Sequence, residues 1–218
     1  MMQTTTTDYR SLVRQLPADS VLLLHGVSWN DYEDLLKEIG EAPGLRISYS
    51  QGTLQVMTIS HRHEKYSRLI ERLVDRLSVH LQTKTLSFGS ATMKKHEKGS
   101  EPDCCFYVGN AHLIGSKEEI DFRIDAPPDI VVEIDIHHDS RTKFSIYAEL
   151  GVPEIWQYDE NSLNIWHLKE GSYSRSTSLA FPVLRAEKLT EFLRLGRSED
   201  QYEALLAFDR WLQNKSAE

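Results

Sequence analysis

The chain has 218 residues, enough for one sizeable α/β domain without disulfide or metal staples. Its 40% hydrophobic and 27% charged residues are those of an ordinary soluble globule. A net charge of −8, from 25 basic against 33 acidic residues, excludes a protein that coats nucleic acid unspecifically, though a local basic surface on an acidic whole stays compatible with a nuclease.

The start, MMQTTTTDYR, lacks the charged-then-apolar layout of an export signal, and no stretch approaches the ~18 consecutive apolar residues of a membrane span, so a cytoplasmic protein is expected. Residues 1–20 read as a polar, flexible lead-in, with Pro17 marking an irregular connection, and residues 21–218 as a single domain. Its core is expected over about 45–180 and its C-terminal helices over about 187–214. Val21 to Leu24 reads as a short strand or an extended lead-in. A helix comes next, with Ser28 as cap, Asp31 in a capping-box position, and a stripe of Trp29, Tyr32, Leu35, Leu36 and Ile39. Glu41-Ala-Pro-Gly44 ends it.

Leu45 to Tyr49 and Thr53 to Ile59 alternate around Ser50-Gln51-Gly52, which predicts a hairpin. From His61 to about Gln82 the residues Tyr66, Leu69, Ile70, Leu73, Val74, Leu77 and Leu81 keep helical spacing. His63 falls on that stripe, as a core or interface histidine, and Glu64 stands in the first turn. Thr85 to Ala91 reads as a strand and Met93 to Gly99 as a charged loop or turn whose Lys94, Lys95 and Lys98 are a wet surface or a phosphate-backbone contact. Glu101-Pro-Asp-Cys-Cys-Phe-Tyr-Val108 opens on a proline where a missing N–H costs least. Its adjacent cysteines, Cys104 and Cys105, point to opposite faces and are expected as reduced thiols. Gly109 to Ala126 is a polar connection with a weak apolar run from Ala111 to Ile114.

Pro128 to Asp159 organises the rest. A strand over Ile130 to Ile136 is apolar at Ile130, Val132, Ile134 and Ile136, while its other face has Val131, Glu133 and Asp135. A short helix and a second strand from about Glu154 complete the stretch. Carboxylates on so hydrophobic a strand need a partner, and a bound cation or a salt bridge to Lys143 supplies one. Leu163 to Leu168 and Tyr173 to Thr177 pair around Lys169 to Ser172, and Glu187 to Leu195 and Ser198 to Asn214 are amphipathic helices. The order predicts an α/β fold with a mixed central sheet flanked by helices, an N-terminal helix-hairpin and C-terminal helices.

Asp103, at the head of one strand, and Glu133, mid-strand thirty positions on, have room to come side by side. With the backbone carbonyl of Ile134 they offer the hard oxygens that Mg²⁺ prefers, Mn²⁺ substituting. Lys143 is the candidate cation against charge building on phosphorus, and Glu64 a supporting carboxylate. Against this stand a strand-initial cap for Asp103, a helix-dipole role for Glu64, and a plain polar turn for His137-His138. Tyr147, Trp156 and Tyr158 read as packing.

Pro102-Asp103, Val132-Glu133-Ile134, Lys143, Tyr147 and Gly151-Val-Pro-Glu-Ile-Trp156 with Asp159 resemble the Uma2 family, as do Gly52-Thr-Leu-Gln-Val-Met57 and His63-Glu64 upstream. The resemblance spans roughly residues 28–180 and implies a restriction-endonuclease-like PD-(D/E)XK fold, with Asp103 and Glu133 as the motif acids. The position two after the second acid, lysine in that motif, is Asp135 here, and the resemblance suggests that the lysine has migrated to Lys143. His137-His138-Asp139-Ser140 replaces the Ser-Pro-rich turn of many relatives. The protein expected on this resemblance is a Mg²⁺-dependent endonuclease acting on DNA, off the membrane and as a homodimer, with Leu205, Phe208 and Trp211 serving an interface or the core. Two other readings stay open: a nuclease-fold binding or regulatory protein with a weakened centre, and a phosphoesterase for small substrates.

Overall fold

The computed structural model describes residues 8–40, 42 and 44–216. Two sheets organise it. The first is built from β1 (Val21–His25), β2 (Leu45–Ser50), β3 (Thr53–Thr58), β5 (Met93–Lys95) and β6 (Lys98–Ser100), all antiparallel, in the order β1-β3-β2-β6-β5. The second is mixed and six-stranded. Its members are β4 (Leu86–Ser87), β7 (Cys104–Tyr107), β8 (Ile130–Ile134), β9 (Glu154–Tyr158), β10 (Leu163–Lys169) and β11 (Ser172–Arg175), in the order β11-β10-β9-β8-β7-β4. Only β8 and β9 run parallel, and their connection holds a 3-10 turn (Ser140–Lys143) and helix α5 (Phe144–Leu150) against one face of the sheet.

The other face is covered by α3 (His61–Leu81), α6 (Ala186–Ser198) and α7 (Gln201–Ser216). The stripe Tyr66, Leu69, Ile70, Leu73, Val74 and Leu77 packs on Cys104, Phe106, Ile130 and Val132, so helical spacing meets strand alternation across one core. Gly196 lets α6 close on α3, since a Cβ there would lie 2.4 Å from Leu69 Cδ2. Cys104 and Cys105 fall in the clusters on opposite faces, both as buried free thiols. Helix α2 (Trp29–Ile39) lies on the first sheet with the expected capping box of Ser28 and Asp31. The β2–β3 hairpin turns through Gln51 (φ 49°) and Gly52 (φ 78°), the paired left-handed residues that match strand twist.

Several boundaries differ from the sequence expectation. Helix α1 (Tyr9–Arg14), capped by Asp8 and burying Val13, occupies part of the stretch read as a flexible lead-in; the threonine run lies outside the described residues, as do Glu41 and Pro43. Met93 to Gly99 is no loop but a hairpin, turning through His96 (φ 50°) and Glu97 (φ 55°). Its lysines hide the strand pattern; Lys94 pairs with Glu33 at 2.7 Å and Lys98 lies 3.5 Å from Glu149. Of Thr85 to Ala91 only Leu86 and Ser87 pair, and the run Ala111 to Ile114 is the short helix α4. Strand β8 stops at Ile134, and just past it the Asp135 side chain caps the following segment, accepting from Ser140 N–H at 3.0 Å and Gln157 Nε2 at 2.6 Å. Leu205 and Phe208 are core, with Trp211 packed on them, so they form no exposed interface.

Candidate active site

Glu101-Pro102-Asp103 links β6 to β7, so the chain crosses from one sheet to the other at these residues. Glu101 stitches the crossing: its Oε2 accepts from Ile47 N–H at 2.9 Å and its Oε1 from Thr92 Oγ1 at 2.6 Å. Strand β7 pairs with β8 in the register Cys104 to Val132, and one step further sets Asp103 opposite Glu133. The two acids are therefore brought together, each almost wholly buried.

Asp103 is held by a crowd of donors. Oδ1 accepts from Arg46 Nε on β2 at 3.0 Å, and Oδ2 from the backbone N–H of Ile134 at 2.7 Å. His63 Nε2 lies 3.0 Å from Oδ2, close enough for an ion pair but outside hydrogen-bond alignment, and Nδ1 of this buried side chain has no hydrogen-bond partner among the described residues. Burial pushes the Asp103 carboxyl up, but His63, Lys143 and Arg46 beside it outweigh that and hold it below its ordinary value.

Glu133 has fewer cationic neighbours. Lys143 Nζ donates to Oε2 at 2.9 Å and Oε1 at 3.2 Å, and reaches the Glu101 carbonyl at 3.4 Å. The Tyr147 hydroxyl also donates to Oε1, and itself accepts from Ser100 Oγ at 3.1 Å. Burial and the neighbouring Asp103 charge push the Glu133 carboxyl up to about 7, against the pull of Lys143 and Tyr147. For Lys143 burial disfavours the ammonium, yet Glu133 and Asp103 hold it above its ordinary value. Lys143 sits in the 3-10 turn rather than in a helical first turn, and its amine points inward.

Asp135, just past the end of β8, is pushed up by burial and fixes that turn through Ser140 and Gln157. Glu64 stands a third exposed at the rim, 3.2 Å from Arg46 Nη2 and 3.7 Å from Arg68 Nε, and meets Asp103 only through Arg46. A cleft of about 1020 Å³ opens over Arg46, Glu64, Arg68, Asp103, His61 and Thr92. His137 and His138 lie in the turn after β8, away from it.

The sequence reading missed Arg46, the Asp103 contact of His63 and the Glu133 bond of Tyr147. Two of these left a signal: Arg46 is the one charge in the alternating strand Leu45–Ser50, and Tyr147 is one helical turn past Lys143. For Ile134 the structure ties the N–H, not the carbonyl, to Asp103.

As donors, the Asp103 and Glu133 carboxylates suit a hard divalent cation. All four of their oxygens already accept, however, and no three His, Cys, Asp or Glu side chains gather as a cation cluster among the described residues. The donor chemistry fits; a cation has to compete with Arg46 and Lys143. No helix among the described residues is long and apolar enough to cross a membrane.

Residues 29–198 match the family model Uma2, described as "Putative restriction endonuclease". A crystal structure titled as "a putative nuclease belonging to DUF820 from Anabaena variabilis ATCC 29413" superposes with a TM-score of 0.54 at 16% identity, covering 73% of this chain and 97% of that one. At that identity the likeness establishes the fold, as the mixed sheet and its helices led one to expect. No curated protein matches the chain.

Proposed function

This chain belongs to the Uma2 family, and from that premise we propose that it is a Mg²⁺-dependent endonuclease that hydrolyses DNA phosphodiester bonds, with Mn²⁺ able to substitute. The observation that carries the reading is the pairing of β7 with β8, which sets Asp103 opposite Glu133 while Lys143 Nζ stands 2.9 Å from the latter. Asp103 and Glu133, with the Ile134 carbonyl, are the residues to hold the cation. When bound, it supplies Lewis acidity toward an attacking water and neutralises charge on the phosphate. Lys143 contributes a fixed, buried positive charge against the charge that builds on phosphorus. Glu64, Arg68 and His61 line the cleft beside Asp103, and Glu64 orients Arg46 from its rim. A homodimer would present two centres to the two strands, which light scattering at micromolar concentration tests.

The deciding experiment joins plasmid nicking to Mn²⁺ calorimetry on wild type and Asp103→Ala. Nicking and cation binding in wild type, both lost in the variant, are expected. Neither in wild type sinks the enzyme reading in favour of a nuclease-fold binding protein, a reading that the saturated carboxylate oxygens and Asp135 in the usual lysine position favour. Turnover of a small phosphodiester without DNA cleavage would instead indicate a phosphoesterase.

A further inference from the structure

Asp103 is already served by a cation of the protein's own. Arg46 comes from the other sheet, is only 4% exposed, and donates from Nε to Asp103 Oδ1 at 3.0 Å. Its Nη2 lies 3.2 Å from Glu64 Oε1 and its Nη1 donates to the Leu45 carbonyl at 2.8 Å. A guanidinium so deeply buried is tolerated where carboxylates compensate it, and here those are one acid on the cleft floor and one on its rim. Lys143 has no such position: its amine is engaged by Glu133 and the Glu101 carbonyl, and Lys143 does not line the cleft.

The planar fork of arginine matches a phosphate as well as a carboxylate, and it gives up water more readily than an ammonium does. Resting on the nuclease reading, we infer that Arg46 and a divalent cation are alternative partners of Asp103, and that Arg46, once displaced from the carboxylate, donates to a phosphate oxygen of the substrate lying in the cleft. Glu64 keeps the guanidinium at the cleft through the exchange, since it grips a different nitrogen from the one that Asp103 holds. Cation and phosphodiester then favour one another's binding through Arg46, and the coupling is reciprocal. It also gives Glu64 a role that needs no contact with the cation.

Calorimetry tests this on the full chain, with Mn²⁺ alone and with Mn²⁺ in the presence of a phosphorothioate oligonucleotide, for wild type, Arg46→Met and Arg46→Lys. Arg46→Met should bind Mn²⁺ alone on the order of tenfold more tightly than wild type, because the competitor has gone. The oligonucleotide should tighten Mn²⁺ binding several-fold more in wild type than in Arg46→Met, with Arg46→Lys between the two because it keeps charge without the fork. A folded Arg46→Met that binds Mn²⁺ no more tightly than wild type overturns the inference; if that variant fails to fold, the same comparison on Arg46→Lys decides it. Where wild type binds Mn²⁺ and nicks DNA but neither variant gains affinity, the inference alone fails. Where no protein binds Mn²⁺ and wild type does not nick, the nuclease reading fails and takes the inference with it.

Discussion

The two halves of the site hold the same kind of group in opposite ways. Around Asp103, cations and a backbone N–H crowd an acid on the floor of an open cleft and keep its carboxyl below the ordinary range. Around Glu133, a single lysine and a tyrosine face a buried acid, and burial with the Asp103 charge wins. Adjacent strands thus supply one carboxylate that stays ionised at any neutral pH and one that titrates near it. The difference comes from the charges around each acid, not from depth, because both side chains are almost wholly buried.

That contrast sets the sign of each half's pH dependence. Glu133, raised to about 7, keeps in the folded state a proton that the unfolded chain releases earlier, so its contribution to stability falls as pH climbs from the ordinary carboxylate range through 7. Asp103 runs the other way: its contribution is present above the ordinary range and is lost as pH drops through its depressed folded value.

The contrast is broken most severely by Lys143→Met, which strands a buried carboxylate. The loss should reach about 3–5 kcal/mol in urea unfolding at pH 8 and shrink sharply at pH 5, where Glu133 is protonated. Adding Glu133→Gln to it should recover most of the deficit at pH 8, and an additive double variant would refute the pairing. Asp103→Asn comes next, at about 2–3 kcal/mol near neutral pH, since Arg46 loses its charged acceptor. Its deficit should fade in acid below the depressed carboxyl value, and Mn²⁺ binding by calorimetry should vanish.

Tyr147→Phe sharpens the comparison rather than breaking it. Removing a hydroxyl that favours ionised Glu133 should cost about 1.5 kcal/mol and move the ascending limb of the cleavage pH profile upward; a downward shift would contradict the assignment. The smallest effect belongs outside both halves. Ser28→Ala removes the α2 cap, costs about 1 kcal/mol in thermal unfolding, and leaves the profile where it was.

Much of this was legible in the chain because its cause is local. The Ser28 and Asp31 box, the Gln51-Gly52 turn, the stripe of α3 and the buried strand bearing Glu133 each express a spacing rule within one element. The Met93–Ser100 hairpin was not legible, because lysines that pair with Glu33 and Glu149 replace the apolar alternation that marks a strand. Nor were the partners of Arg46, which lie 18 and 57 positions away and share no periodicity with it.

Residue order and spacing dictated which side chain had to find a partner: Glu133 amid Ile130, Val131, Val132 and Ile134 is an unstable proposition in any fold. Which partner it found was left to tertiary structure. A strand fixes the side to which a residue points, whereas the register of β7 on β8 and the crossing at Glu101 to Asp103 determine what stands opposite. Charge compensation acts over a few ångströms of space, and only the closed fold sets those distances.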